Sequence, residues 1–227
     1  MTKQKYFGGF RFFIFIFSIL FWNAAEAAAK PADTLRIQKL YAGLDIGKTI
    51  FANASKEAPF GFTAEGLLRL ENPSGFNILI SAGYSRFARP EPYTNTRYLC
   101  RGFFGKAGIE THFSSFIDPR ERARAGLSVV VSRFTNSGDF FIPGDFFPEY
   151  RQGYSVSGTA AAVQPYFCET LLASGRIRLE AMVHASWIFT PVKDNGTDQI
   201  SYYMPGVGIH RDGKLSCGLS LQLFYAF

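Results

Sequence analysis

Three features are scarce or missing in this 227-residue sequence. Beyond the N-terminal segment no run of 18 apolar residues occurs, so no membrane-spanning helix is expected there. The three cysteines, Cys100, Cys168 and Cys217, are too few and too far apart for a disulfide framework or a cysteine metal site. The formal net charge of +6 is spread along the chain instead of being gathered in a basic patch. We therefore expect no nucleic-acid partner.

Sequence motifs for enzymatic chemistry are also missing. The chain contains no G-x-S-x-G, no H-E-x-x-H, no Walker loop for phosphate and no C-x-x-C. We therefore predict no cofactor, no metal site and no catalytic residue. One set keeps an enzymatic alternative open, because Glu180, His184 and Ser186 share one face of a predicted strand and have the side chains of an acyl-transfer site. Positions four apart on a strand are separated by about 13 Å, however, so Glu180 would not orient His184 directly.

The N-terminal segment has the three parts of a secretory signal peptide. Basic residues precede an apolar run from Phe12 to Trp22, and Ala25-Glu26-Ala27 fits a cleavage site with small residues. An apolar run of this length is too short to cross a bilayer. We predict a cleaved signal peptide over residues 1–27 and a single exported domain over residues 28–227.

The rest of the chain contains apolar and polar residues that alternate with a period of two, which is typical of β-strands with two unlike faces. The seventh such segment is the clearest, since its odd positions from Ile177 to Phe189 are apolar and its even positions include Glu180 and His184. Short and long connections alternate between the segments. The predicted strands cover residues 40–50, 61–71, 76–84, 98–112, 126–135, 155–169, 177–189 and 215–227.

An even number of strands, with short turns at one rim and long loops at the other, is typical of outer-membrane barrels. The strands are about as long as a tilted membrane strand must be. Aromatic residues collect near strand ends, as in interfacial girdles: Phe76, Tyr84, Trp187, Phe189, Tyr225 and Phe227. We predict an all-β fold, an eight-stranded antiparallel up-and-down transmembrane β-barrel with its apolar face towards lipid. A soluble, lipocalin-like periplasmic barrel shows the same alternation and remains an alternative.

Charged residues of both signs lie on the face opposite the apolar one. The interior of an eight-stranded barrel is only wide enough for side chains to fill. We therefore expect these residues to form a packed core of ion pairs and hydrogen bonds, not an open pore. The predicted polar core of the lumen comprises Asp45, Glu65, Arg69, Lys106, Glu110, Arg176, Arg178, Glu180 and His184.

Two stretches, DTLRIQKLYAGLDIG (Asp33 to Gly47) and YYMPGVG (Tyr202 to Gly208), resemble a family of small Gram-negative outer-membrane β-barrel proteins whose function is not characterised. The resemblance implies a barrel in the outer membrane of a Gram-negative bacterium, and it implies no catalytic residue. Independently, an alternating last strand with a final Phe resembles the signal that outer-membrane proteins present to their assembly machinery. The predicted assembly signal comprises Leu223, Tyr225 and Phe227.

Together these features predict a small non-enzymatic barrel with a packed polar lumen and a structural or interaction role. Its expected partners are outer-membrane lipid, the assembly machinery, and an extracellular ligand or protein bound through the long loops 136–154 and 191–213. A lipid hydrolase or acyltransferase barrel and a soluble periplasmic ligand-binding barrel are the alternatives.

Overall fold

The computed structural model describes residues 39–48, 60–72, 76–89, 96–114, 122–142, 144, 148–189, 203–209 and 215–227. Regular structure in these ranges is almost entirely β-strand. No helix in the described ranges is both long and apolar enough to cross a membrane. The predicted signal peptide, residues 1–27, lies outside the described residues.

Eight of the ten described strands form one closed antiparallel barrel. The strands are β1 (Lys39–Asp45), β2 (Phe60–Glu71), β3 (Phe76–Arg89), β4 (Thr96–Ser114), β5 (Arg122–Ile142), β6 (Tyr150–Ser174), β7 (Ile177–Ile188), β8 (Tyr203–Met204), β9 (Gly208–Ile209) and β10 (Leu215–Ala226). Their order around the barrel is β1-β10-β7-β6-β5-β4-β3-β2, while β8 and β9 form a separate two-stranded sheet. Each barrel strand pairs with the next one along the chain, and β10 closes the ring against β1. The predicted all-β, eight-stranded up-and-down barrel is confirmed.

Side chains of the barrel strands alternate between the outside and the lumen. On β2, Glu65 and Arg69 are buried, whereas Phe62 and Leu68 are exposed. The same pattern recurs on β7, where Glu180 is fully buried and the neighbouring odd positions face outward. Charged and polar side chains therefore lie inside, together with two clusters of apolar side chains, and apolar side chains cover the outside. This distribution is the reverse of the one in a soluble barrel, whose apolar face points inward.

Strands β5 and β6 are longer than predicted. The prediction ended the fifth strand at residue 135 and began the sixth at 155, but the two strands continue to pair up to Ile142 and Tyr150. Most of the expected loop 136–154 is therefore a hairpin, because main-chain pairing continues beyond the alternating segment. Pro165 lies within β6, and the β6–β7 register has no pair at that residue, which is consistent with its missing N–H.

Strand β1 is shorter than predicted, because it ends at Asp45 and not at residue 50. The Asp45 carboxylate accepts hydrogen bonds from the main-chain N–H groups of Gly47 (3.1 Å) and Lys48 (3.2 Å). A side chain that binds the main chain two and three residues ahead turns the chain out of the ladder. The turn directs Lys48 into the lumen, where its ammonium group meets two carboxylates. Residues 49 and 50 lie outside the described residues.

The lumen is packed by aromatic rings that lie over glycines on the neighbouring strand. Gly83 pairs in register with Phe104, and a Cβ at Gly83 would lie 2.5 Å from the ring. Gly126 pairs with Tyr166, whose ring covers it. Two large side chains would not fit at these facing positions, so the glycine makes room for the ring. The same arrangement joins Gly43 with the ring of Phe224 and Gly218 with the imidazole of His184.

Candidate functional site in the lumen

The lower half of the lumen, at the rim where β1 begins at Lys39 and β10 ends next to Phe227, holds an arginine–glutamate cluster. Its members come from four strands: Arg69, Glu71, Glu110, Arg124 and Glu180. Arg69 donates to both oxygens of Glu180 (3.0 and 2.8 Å), and Arg124 donates to the first of them (2.7 Å). The two guanidinium groups thus share one carboxylate that is completely buried.

Two further carboxylates complete the arginine–glutamate cluster. Glu110 lies 2.6 Å from Nε of Arg69 and accepts a hydrogen bond from the hydroxyl of Tyr166 (3.1 Å). Glu71, at the lower rim, accepts a hydrogen bond from Arg124 (3.0 Å). The Arg69 guanidinium also lies 4.2 Å from the centre of the Phe224 ring, in cation–π contact. These buried charges are therefore all paired, which burial in a narrow lumen requires.

A second group of charges, the lysine–carboxylate cluster (Asp45, Lys48, Glu65 and Lys106), lies further up the lumen. Lys48 pairs with both carboxylates, and Lys106 lies 3.2 Å from Glu65. The Ser81 hydroxyl donates to Glu65 (2.6 Å), and the Ser220 hydroxyl donates to Asp45. Two lysines balance two carboxylates, so this cluster carries no formal net charge.

The top of the lumen is filled by an inserted hairpin, residues Tyr203–Ile209, which consists of β8, a turn and β9. Met204 and Val207 are bound by a main-chain hydrogen bond of 3.1 Å, and between them Pro205 and Gly206 form the turn. Gly206 has φ +78°, the conformation that glycine adopts at the third position of a type II turn. The sequence Met-Pro-Gly-Val therefore accounts for the hairpin locally.

The inserted hairpin packs against side chains that point into the lumen. The ring of Tyr203 stacks on Phe87 with a centroid distance of 4.6 Å, and the hydroxyl of Tyr203 hydrogen-bonds with Ser85 and Thr63. The Ser132 hydroxyl donates to the carbonyl of Pro205. Residues 203–207 of the long loop 191–213 are therefore buried inside the barrel, and a partner contact through this loop stays a prediction. Residues 191–202 and 210–213 of that loop lie outside the described residues.

The three residue types of an acyl-transfer site, Glu180, His184 and Ser186, are all buried in the lumen. Each has a different partner. Glu180 is held by two arginines, the Ser186 hydroxyl accepts a hydrogen bond from Gln164 (2.8 Å), and the His184 imidazole lies beside the main chain of Val207. The imidazole thus contacts the inserted hairpin and packs over Gly218.

The structure places eight of the nine residues predicted for the polar core inside the barrel or at its rim. Seven are buried in the lumen: Asp45, Glu65, Arg69, Lys106, Glu110, Glu180 and His184. Arg178 is half-buried at the lower rim, where it lies 3.5 Å from Glu71. Arg176 is outside the lumen and this part of the prediction is wrong. It lies exposed in the turn that follows Gly175 and donates a hydrogen bond to the hydroxyl of Tyr225.

The residues of the predicted assembly signal lie on the outside of the last strand. Leu223 and Tyr225 are exposed on β10, and the N–H of Phe227 donates to the carbonyl of Leu40 (2.9 Å). The rings of Tyr225 and Phe227 meet edge to face at 5.2 Å. The last residue is therefore paired to the first barrel strand and still presents its ring outward.

Sequence reasoning missed two cations, the carboxylate of Glu71 and the inserted hairpin. Arg124 lies two residues before the predicted fifth strand, 126–135, and Lys48 lies inside the predicted first strand, 40–50. The sequence did contain a signal that Arg124 lies on a strand. The alternation of small and charged residues through Ala123 and Ala125 extends the fifth strand towards the lower rim. The hairpin had a local signal too, a Pro-Gly pair between apolar residues.

Within the described part of the chain, no group of His, Cys, Asp and Glu side chains is arranged to hold a metal ion. Comparison with known proteins finds neither a family model nor a curated protein that matches this chain.

Proposed function

We propose that this chain is a small, non-enzymatic β-barrel protein of the outer membrane of a Gram-negative bacterium. The observation that carries the proposal is the distribution of side chains over the two faces of the barrel. Apolar residues such as Ile80, Ile109 and Val183 are exposed on the outside, while the arginine–glutamate cluster is buried. An apolar outer surface of this extent is unfavourable in water and favourable in hydrocarbon.

The height of the apolar surface supports the same proposal. On β4 the outward positions from Phe103 to Phe113 are separated by ten residues. Ten residues extend about 33 Å along a strand, and the usual tilt of about 40° reduces this to a height of about 25 Å. That is the height of the apolar band in outer-membrane barrels. Aromatic pairs lie at both ends, Phe103 with Tyr84 (5.0 Å) and Phe113 with Phe167 (5.8 Å).

The filled lumen supports a structural or interaction role in preference to transport. Two charge clusters and the inserted hairpin occupy the interior, so a solute would have to displace paired side chains. Beyond the apolar band, the hairpin of β5 and β6 continues with polar outward residues, including Thr135 and Ser157, whose hydroxyls are 2.7 Å apart. We propose that this projecting hairpin, described over residues 135–142 and 150–157, is the part of the protein that a ligand or protein partner outside the cell contacts.

The proposal also includes export of the chain and its assembly into the outer membrane. Residues 1–27 would direct export and be removed, and Leu223, Tyr225 and Phe227 would present the last strand to the assembly machinery. The likeness of Asp33–Gly47 and Tyr202–Gly208 to a family of small outer-membrane barrels agrees with this route.

Cell fractionation tests the proposal. We expect the chain, expressed in a Gram-negative host, to be shortened by its signal peptide and recovered in the outer membrane. Unheated samples should migrate differently from boiled ones on a denaturing gel, because a closed barrel has no free edge at which to unzip. Soluble protein in the periplasm with the same mobility before and after boiling would contradict the membrane location.

A further inference from the structure

Three arginines lie together on the outer surface, close to the rim that carries the long loops. Arg86, Arg101 and Arg133 are exposed on β3, β4 and β5. Arg86 pairs directly with Arg101, and Arg133 pairs with Phe103, two residues along from Arg101. Strands in a barrel are tilted, so positions at equal height shift by one or two residues from strand to strand. The three arginines therefore form an arc at nearly one height, which we name the arginine arc.

Nothing in the described parts of these strands neutralises the arginine arc. Its three guanidinium groups make no ion pair with any described residue. On β5 the nearest outward carboxylate, Asp139, is four residues beyond the partner of Arg101, which is about 13 Å along the strand. Like charges at directly paired positions destabilise a sheet. An anion from outside the described chain would relieve this repulsion.

The arginine arc lies at the upper edge of the apolar band. Tyr84 and Phe103 are the next outward residues below Arg86 and Arg101, and their rings pack at 5.0 Å. Ala82 and Gly105 follow below them, and then Ile80 and the rest of the apolar surface. The arc thus lies directly above the aromatic girdle, at the level where the headgroups of a bilayer begin.

We propose that the arginine arc binds the phosphate groups of an anionic lipid in the outer leaflet. This inference rests on the proposed membrane location and adds a lipid class to it. Guanidinium groups bind phosphate with paired hydrogen bonds. Directly paired positions have Cβ atoms about 5 Å apart and diagonal positions about 7–8 Å, so one phosphate can meet two arginines. The aromatic rings below would contact the first part of the acyl chains.

The test compares lipid selectivity between matched variants. Wild type, Arg86→Gln/Arg101→Gln, and the control Lys39→Gln/Arg176→Gln are reconstituted in phosphatidylcholine nanodiscs. The control removes the same charge from exposed residues at the opposite rim. Spin-labelled phosphatidic acid and phosphatidylcholine report the fraction of each lipid that the protein immobilises. We expect wild type to immobilise phosphatidic acid in preference to phosphatidylcholine. This preference should fall about fivefold for each arginine that is removed from the arc, and the control should keep it.

The outcomes separate this inference from the proposed function. Equal preference in wild type and arc variant, or equal loss in the control, would overturn the arginine arc as a lipid site while leaving the membrane location intact. Abolition of the preference by inorganic phosphate at no more than the concentration of the labelled lipid would indicate a site for a free anion and overturn the lipid assignment. Wild type that does not insert into nanodiscs, judged by its heat-dependent mobility, would overturn the proposed function and this inference together. Variants that insert with wild-type mobility exclude misfolding as the cause of lost selectivity.

Discussion

The arginine–glutamate cluster makes the stability of the barrel depend on one carboxylate. Glu180 accepts three hydrogen bonds from Arg69 and Arg124, at 2.7 to 3.0 Å, and is completely buried. Glu180→Gln keeps the shape of the side chain and removes its charge. Loss of one partner from a buried ion pair costs about 3–5 kcal/mol, and here two buried arginines lose the carboxylate that they share. We expect a decrease of that size in the free energy of unfolding.

Two variants make the Glu180→Gln prediction specific. Glu71→Gln also removes a carboxylate from Arg124, but Glu71 is only partly buried at the rim. Exposed pairs contribute about 0–1 kcal/mol, so this variant should lose about 1 kcal/mol or less. The double variant Glu180→Gln/Arg124→Gln removes one charge of each sign and so keeps the net charge of the wild-type cluster. It should be less destabilised than the sum of its two single variants, by about 0.5–3 kcal/mol.

Urea unfolding in detergent micelles measures these differences. The fluorescence of Trp187, which is exposed on the outside of β7, follows the loss of the barrel. Gel mobility of unheated samples provides an independent count of folded protein. If Glu180→Gln is no less stable than Glu71→Gln, or if the double variant is simply additive, the buried charges do not stabilise each other as proposed.

Three further predictions concern the surface, the packing of the lumen and the last residue. Val183→Arg, on the outward face, should lose about 2–4 kcal/mol of folding free energy in bilayers, while Ser186→Ala in the lumen should lose less. Urea titration in lipid vesicles measures both losses. A larger loss for Ser186→Ala would contradict the proposed orientation of the two faces. Gly126→Val should lose about 1–3 kcal/mol in the same titration, because its side chain would collide with Tyr166; wild-type stability would show that the ring moves aside freely. Deletion of Phe227 should sharply reduce the amount of this protein in the outer membrane of cells. The purified variant should still refold in detergent, where no assembly machinery acts. Normal outer-membrane levels, measured by fractionation and immunoblot, would contradict the role of Phe227 in assembly.

Alternation of side chains allowed the sequence to predict the class of fold and the number of strands. A period of two is a local property of an extended chain, since successive side chains point to opposite faces. Seven residues, from Asp45 to His184, were predicted for the lumen and lie there. Each was assigned from its place in the alternation along a strand, that is, from its even or odd position (its parity). Parity fails where a strand ends, and Arg176 was assigned wrongly for this reason, because it lies in the turn beside Gly175.

Strand ends were less predictable than strand faces. Glycines and acidic residues between 136 and 154 are typical of a loop, yet β5 and β6 continue to pair through much of this stretch. A strand is extended by the partner beside it, and a local pattern does not contain that partner. The early end of β1 has the opposite cause, since the Asp45 side chain binds the next main-chain N–H groups.

Only the tertiary structure decided which charges meet and what fills the top of the lumen. Arg69 and Glu180 are 111 residues apart in sequence, and they pair because closure of the ring brings β2 across the lumen from β7. The inserted hairpin shows the same dependence, since its Pro-Gly turn is a local feature but its place against Phe87 exists only inside a closed barrel. The sequence by itself therefore determined the strands and their two unlike faces, because alternation depends on neighbours in the chain. Ion pairs and the filling of the lumen were decided by register and closure, because these bring together side chains that are remote in sequence.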